Sequence, residues 1–189
     1  MYKRQEYSRS LELYKRLADR AGNQEERLQA QTGALRSAYM AGDTNETISA
    51  ASAMMAHSKL APELENEARY YRAKAFIKNG QSNEALADLK ALAGDTRNVY
   101  GAEAKYLVAQ IYFDEGKTEA AEKEILQYIE VSTPHAYWLA RSFVLLSDVY
   151  VKLGRKLDAK QYLLSLQQNY QADDDIAEMI ETRLAKLNQ

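Results

Sequence analysis

Glu67 to Ala93, EARYYRAKAFIKNGQSNEALADLKALA, holds two helical patterns on either side of a turn at Gly80, and the rest of the chain can be laid over it. From Glu103, EAKYLVAQIYFDEGKTEAAEKEILQYI puts Gly116, Ala121 and Ile125 where the first stretch has Gly80, Ala85 and Leu89. From Arg141, RSFVLLSDVYVKLGRKLDAKQYLLSLQ repeats the order with Gly154, Ala159 and Leu163. The repeating element is therefore a helix, a short turn and a second helix. Such an element cannot bury its apolar face alone, so neighbours must stack.

The 189 residues suffice for four to five such hairpins, and two prolines with eight glycines leave little room for long irregular linkers. Ala, Leu, Glu, Lys, Gln and Arg dominate, the residues that lose least on entering a helix. A formal charge of −2 and a pI near 5.8 argue against a phosphate-binding surface, so nucleic acid is a poor candidate partner. With no cysteine there is neither a disulfide framework nor a thiolate site. No run approaches the eighteen apolar residues of a spanning helix, and MYKRQEYSRS lacks the apolar core of a secretion signal.

The spacing divides residues 1–189, read as one solenoid segment, into a half repeat at 5–21, full repeats at 24–58, 62–94, 98–131 and 134–170, and a closing helix at 173–188. Ser10, Tyr14 and Leu17 are spaced as Ala85, Leu89 and Leu92 are, so Gln5 to Arg20 reads as a second helix without its first. It is expected to be either the cut end of a longer array or a native cap. Gly42 turns the 24–58 repeat, where Asp43 and Glu46 form a candidate capping box. This repeat fits less well: Leu35 stands where later ones have small residues, and Thr47 where they have alanine. Pro62 is expected at a first helical position, Ser82 as an N-cap and Gly94 as a C-terminal stop. Thr133 and Pro134 are expected to cap and open the fourth hairpin, and Asp173 to Asp175 to sit at the start of the last helix, where they complement its dipole.

Ala73, Ala109 and Ser147 are small, Phe76, Tyr112 and Tyr150 follow three residues later, and a turn glycine comes four further on. Ala85, Ala121 and Ala159 then precede Leu89, Ile125 and Leu163, and after these Leu92, Tyr128 and Leu166. This order resembles the tetratricopeptide repeat, which implies an all-α, right-handed α-α superhelix of helix-turn-helix repeats with a C-terminal capping helix. Departures occur where a tryptophan-like residue is usual, at Arg69, Lys105 and Phe143, and where Arg72 replaces an inward leucine; Tyr70 and Tyr71 are expected to restore bulk. The turn glycines at 42, 80, 116 and 154 are 38, 36 and 38 residues apart, longer than the usual ~34, and this period with STPHAYWLARSFVLLSDVYVKLG also looks like repeats of bacterial envelope proteins of the outer-membrane assembly and Tol-Pal types. That likeness implies a periplasmic or cell-envelope setting.

The resemblance implies a non-catalytic scaffold that holds a partner protein or peptide on the concave face lined by the first helices. Solvent-side positions there are Gln29, Thr32 and Arg36; Glu67, Tyr70 and Lys74; Glu103, Tyr106 and Gln110; and Arg141, Val144 and Asp148. Tyr70 and Tyr106 are equivalent by repeat and are either contacts or rings packed under the neighbouring repeat. They and Lys74 with Gln110 stand where some relatives carry a lysine–asparagine carboxylate clamp, which is not reproduced. The two histidines, His57 and His135, are far apart, the Asp173–Asp175 run lacks the spacing of a calcium loop, and no phosphate loop occurs, so no catalytic, cofactor or metal residues are expected. Two further expectations are a regulatory or targeting domain on an enzyme or transcription regulator encoded upstream, and self-association through Leu13, Tyr14 and Leu17.

Overall fold

The computed structural model describes residues 2–188. Among them the regular elements are helices: α1 (Tyr2–Arg20), α2 (Gln24–Ala41), α3 (Thr44–Met55), α4 (Pro62–Lys78), α5 (Ser82–Leu92), α6 (Val99–Asp114), α7 (Thr118–Glu130), α8 (Ala136–Lys152), α9 (Lys156–Asn169) and α10 (Ile176–Leu187). They fall into two compact units, Met1–Ala91 and Leu92–Gln189. The all-α class expected from the spacing is the one observed.

Four turns share one backbone solution. Gly42, Gly80, Gly116 and Gly154 have φ of 74°, 75°, 75° and 77°, the left-handed region that an L side chain enters only at a cost. The amide after each glycine donates back to the helix it leaves: Asp43 N to Ala38 O at 3.1 Å, Gln81 N to Phe76 O at 2.9 Å, and Lys117 N to Tyr112 O and Arg155 N to Tyr150 O at 2.8 Å. Orphan carbonyls at each helix end are thereby satisfied.

Where the hairpin helices cross, Ala73, Ala85, Ala109, Ala121, Ser147 and Ala159 are all buried. Small side chains there let helices approach to ~8–10 Å, and Leu89, Ile125 and Leu163 fill the space beside them. In the first hairpin the sizes are exchanged. Leu35 replaces the small residue, Ala51 replaces the bulky one four residues past Thr47, and the two share a cluster with Met54 and Ala68. The weak fit read from Leu35 is therefore a volume-conserving swap. Thr47 is also accommodated, because its hydroxyl donates to Asp43 O at 2.6 Å.

The first unit holds α1 to α4 and all but the last residue of α5. α1 lies on α2 through Leu11, Ala34 and Ala38, and Gly33 makes room for the Tyr14 ring, which a Cβ there would overlap. Tyr71 stacks on Tyr39 at 4.1 Å and packs against the first-hairpin core, so it supplies the bulk missing at Arg69. In the second unit, α6 to α9 share a core of Tyr106, Ala109, Ala121, Ile125, Leu145, Leu146, Val149, Tyr150 and Ala159. α10 adds Ile176 and Ile180 against Ala140, Val144, Leu163 and Leu166.

Several terminal assignments differ from expectation. Pro62 does open α4, with Ala61 at the cap position. Asp43 accepts from Glu46 N at 3.0 Å, but the Glu46 carboxylate pairs with Lys15 instead of returning to the cap. Ser82 lies inside α5, and the Gln81 carbonyl accepts the first bond, from Ala85 N at 3.3 Å. Gly94 is not among the left-handed glycines. Thr133 does not cap α8, which starts at Ala136 beyond Pro134. Its hydroxyl instead donates to Thr96 O at 2.8 Å, and His135 Nε2 bonds Arg97 O at 2.9 Å, tying the two inter-hairpin loops of this unit together. Asn23 and Asn98 cap α2 and α6, roles the reading of the chain did not assign. Near the start of α10, Asp174 accepts from Ile176 N at 3.0 Å.

Candidate functional site

The first helices α2, α4, α6 and α8 carry the proposed contact positions, and the structure pairs several of them with one another. In the first unit, the Arg36 guanidinium grips Glu67 with both arms, Nε to Oε1 at 2.7 Å and the second nitrogen to Oε2 at 2.8 Å. Such forks are rigid and charge-assisted. Glu67 is only 8% exposed, so it is an internal anchor and not an open contact. Thr32 is buried with its hydroxyl donating to Leu28 O, whereas Gln29 is exposed. Tyr70 is half-buried, with its centroid 5.7 Å from that of Tyr71 and the Lys74 ammonium 5.8 Å from its ring.

In the second unit, Glu103 and Tyr106 are each 7% exposed and Val144 is buried, so these three are not solvent-side. Val144 packs against Ile176 and Ile180 of α10, and Tyr106 is covered by α8. Trp138 of α8 lies 5.6 Å from the Tyr106 ring and Arg141 sits over it at 5.1 Å. The Tyr106 hydroxyl donates to Gln110 Oε1 at 2.9 Å and accepts from Arg141 at 3.2 Å, and Gln110 donates onward to Asp114 at 2.8 Å. Arg141 also donates to the Tyr137 hydroxyl at 3.0 Å and to Asp175 at 3.2 Å. Burial works against the Arg141 charge, but the oxygens of Tyr106 and Tyr137 more than offset it and hold the guanidinium above its already high ordinary range. Beside it, burial and then the bond to Asp174 push the Tyr170 phenol up to about 12. Asp148 is gripped by Arg183 of α10 at 2.7 to 3.0 Å.

A second set of contacts lies between the two helices of the last three hairpins. The Asp88 side chain is 2% exposed and accepts from Arg69 at 3.2 Å and from Arg72 at 2.7 and 2.9 Å. Arg72 reaches on to Ser52 at 3.0 Å, and Arg69 to Glu65 at 2.7 Å. At equivalent positions of the next hairpin Lys105 meets Glu124 at 2.7 Å, and of the last Phe143 lies 6.0 Å from Tyr162. The residues that break the repeat pattern are thus matched in pairs, charge with charge and ring with ring. Asp88, Glu124 and Tyr162 share one register, but register alone does not say which residue of the facing helix each one meets.

A cleft of about 150 Å³ lies among Ser147, Asp148, Val151, Lys156, Arg183, Lys186 and Leu187. Among the described residues no group of three or more His, Cys, Asp or Glu side chains is placed to hold a metal, and no helix is long and apolar enough to cross a membrane.

The tetratricopeptide repeat family model matches residues 102–135 and 140–172. Among solved structures, nearly identical TPR-like repeats assigned to a kinesin light chain of Podosopora anserina align with a TM-score of 0.60 and 16% identity, covering 100% of this chain and 92% of that one. A form of those repeats with one glutamine replaced by methionine aligns with a TM-score of 0.63 and 17% identity over 88% of this chain and 89% of that one. At such identity the likeness is one of fold. No curated protein sequence is similar enough to count as a relative. Repeats of this kind serve protein–protein interaction, and residues 102–135 and 140–172 are the stretches that match their model, within an all-α, tetratricopeptide-like fold.

Proposed function

We propose that the protein is a non-catalytic scaffold that binds a partner protein or peptide on the face of its first helices. One observation carries this reading: packing positions recur from hairpin to hairpin, whereas one outward position runs Arg36, Lys74, Gln110, Asp148. Arg36 and Asp148 are partnered by Glu67 and Arg183, so the support comes from the partly exposed Lys74 and Gln110, whose character differs between repeats that pack alike. In the first unit Tyr70 and Lys74 are partly exposed and would offer contacts above buried Glu67; in the second, Gln110, Arg141 and Asp148 are partly exposed and would do so above buried Glu103 and Tyr106. A role in cell-envelope assembly is a finer form of the same proposal and rests on the sequence resemblance alone.

Photo-crosslinking residues placed at Lys74 and Gln110, and as controls at the exposed second-helix positions Glu84 and Lys123, test the face in cells. Cross-links to one partner from the first pair only are expected. Equal yields from both pairs, or none from the first, would remove this face from consideration.

A further inference from the structure

We propose that the outer face of α1 is a second docking surface, separate from the first-helix face, and that its occupant is an amphipathic helix with acidic flanks. Leu13 is 66% exposed and Leu17 56%, whereas the Tyr14 ring, 39% exposed, lies against Gly33 of α2 and borders this face. Leu13 and Leu17 stand four residues apart, one above the other on the helix, the ridge that a partner helix grips. Around Leu13 the open surface of α1 carries Ser8, Arg9, Glu12 and Arg16. A depression of about 390 Å³ runs along Leu17 into the α1–α2 groove, where Tyr14, Arg20, Gln29 and Glu26 line it, the Glu26 carboxylate already accepting from Gly22 N at 2.9 Å.

Charge selects the occupant. α1 carries Lys3, Arg4, Arg9, Lys15, Arg16 and Arg20 against Glu6, Glu12 and Asp19, a surplus of three positive charges on a chain whose formal total is −2. Lys15 is spent on Glu46 across the helix, whereas Arg9, Arg16 and Arg20 are exposed around the leucine ridge. A second copy of the protein would bring the same positive surplus to the contact, which opposes a symmetric dimer. A helix with leucines four apart and glutamates on both sides would meet apolar surface with apolar surface and arginine with carboxylate.

The probe is a labelled synthetic helix of alanine, leucine and glutamate with that pattern, titrated into the full chain by fluorescence anisotropy beside its twin carrying lysine for every glutamate. The acidic helix is expected to bind and the basic one not, with affinity falling as salt is raised. Leu13→Ser with Leu17→Ser, and separately Arg9→Glu with Arg16→Glu, should each weaken binding by about tenfold or more, while circular dichroism stays unchanged because these side chains are exposed. Equal binding of the two helices, no binding of either, or insensitivity to both double substitutions would overturn the proposal. So would a dimer in light scattering that the leucine substitutions dissolve, since the occupant would then be a second copy. Failure of cross-linking at Lys74 and Gln110 leaves this result untouched, because neither residue lines the α1 surface.

Discussion

Replacing Asp88 with alanine removes the acceptor that two guanidinium groups converge on. The carboxylate is almost wholly enclosed, and Arg69 and Arg72 are each about three-quarters buried. Breaking a buried pair by deleting one partner costs roughly 3–5 kcal/mol, because the surviving charge is left uncompensated. Here Arg69 retains Glu65 and Arg72 retains Ser52, so the lower end, about 3 kcal/mol, is expected. For a chain of this length that is roughly 6–12 °C in melting temperature, and more if the first unit melts by itself. Urea unfolding of Asp88→Ala beside Glu124→Ala is the assay. The second substitution should cost less, about 1–2 kcal/mol, since it strips a single cation of one charged hydrogen bond. Converting Asp88, Arg69 and Arg72 together to leucine should recover most of the loss, as apolar replacement of a buried ion cluster often does. A cost below about 1 kcal/mol for Asp88→Ala, or a triple variant no more stable than the single one, would refute the view that this cluster stands in for an apolar contact.

Gly101→Ala would drive a Cβ into Asp95 O and to 2.6 Å from Leu92 O, both backbone atoms, so thermal melts should show a loss of about 1–3 kcal/mol. Gly33→Ala meets only the Tyr14 ring, a side chain that can swing outward, and should cost less in the same melts. Leu35→Ala is expected to lose about 2–5 kcal/mol and Ala51→Leu to strain the first hairpin, yet together they restore the size order of the other hairpins. A double-mutant cycle in urea should therefore show strong favourable coupling, and simple additivity would count against the exchange. Tyr170 holds its proton up to about 12, above the ordinary tyrosine value, so its contribution to stability is complete below about pH 10 and fades as pH rises through 12. Tyr170→Phe should flatten that part of the stability profile, and an unchanged profile would show that Tyr170 does not cause it.

How much of the site was legible differs from how much of the fold was. Arg36, Glu67, Arg141 and Asp148 lie on first helices, but their partners are 31 to 35 residues away, on the preceding or following first helix or on α10. Repeat spacing places a residue on a face and does not report whether the following helix reaches over it. Tyr70 and Tyr106 occupy one register and meet different fates, half-buried beside Tyr71 in one hairpin and enclosed by Trp138 and Arg141 in the other.

The chain alone determined its class and its turns, because a glycine at a left-handed turn and a small side chain at a helix crossing are demands of local geometry that recur with the repeat. Leu35 with Ala51, Arg69 with Asp88 and Thr133 with Thr96 were decided only in three dimensions. In each pair one residue is acceptable solely because of what the other, distant in sequence, brings to the same few ångströms: a missing volume, an opposite charge, an unpaired carbonyl.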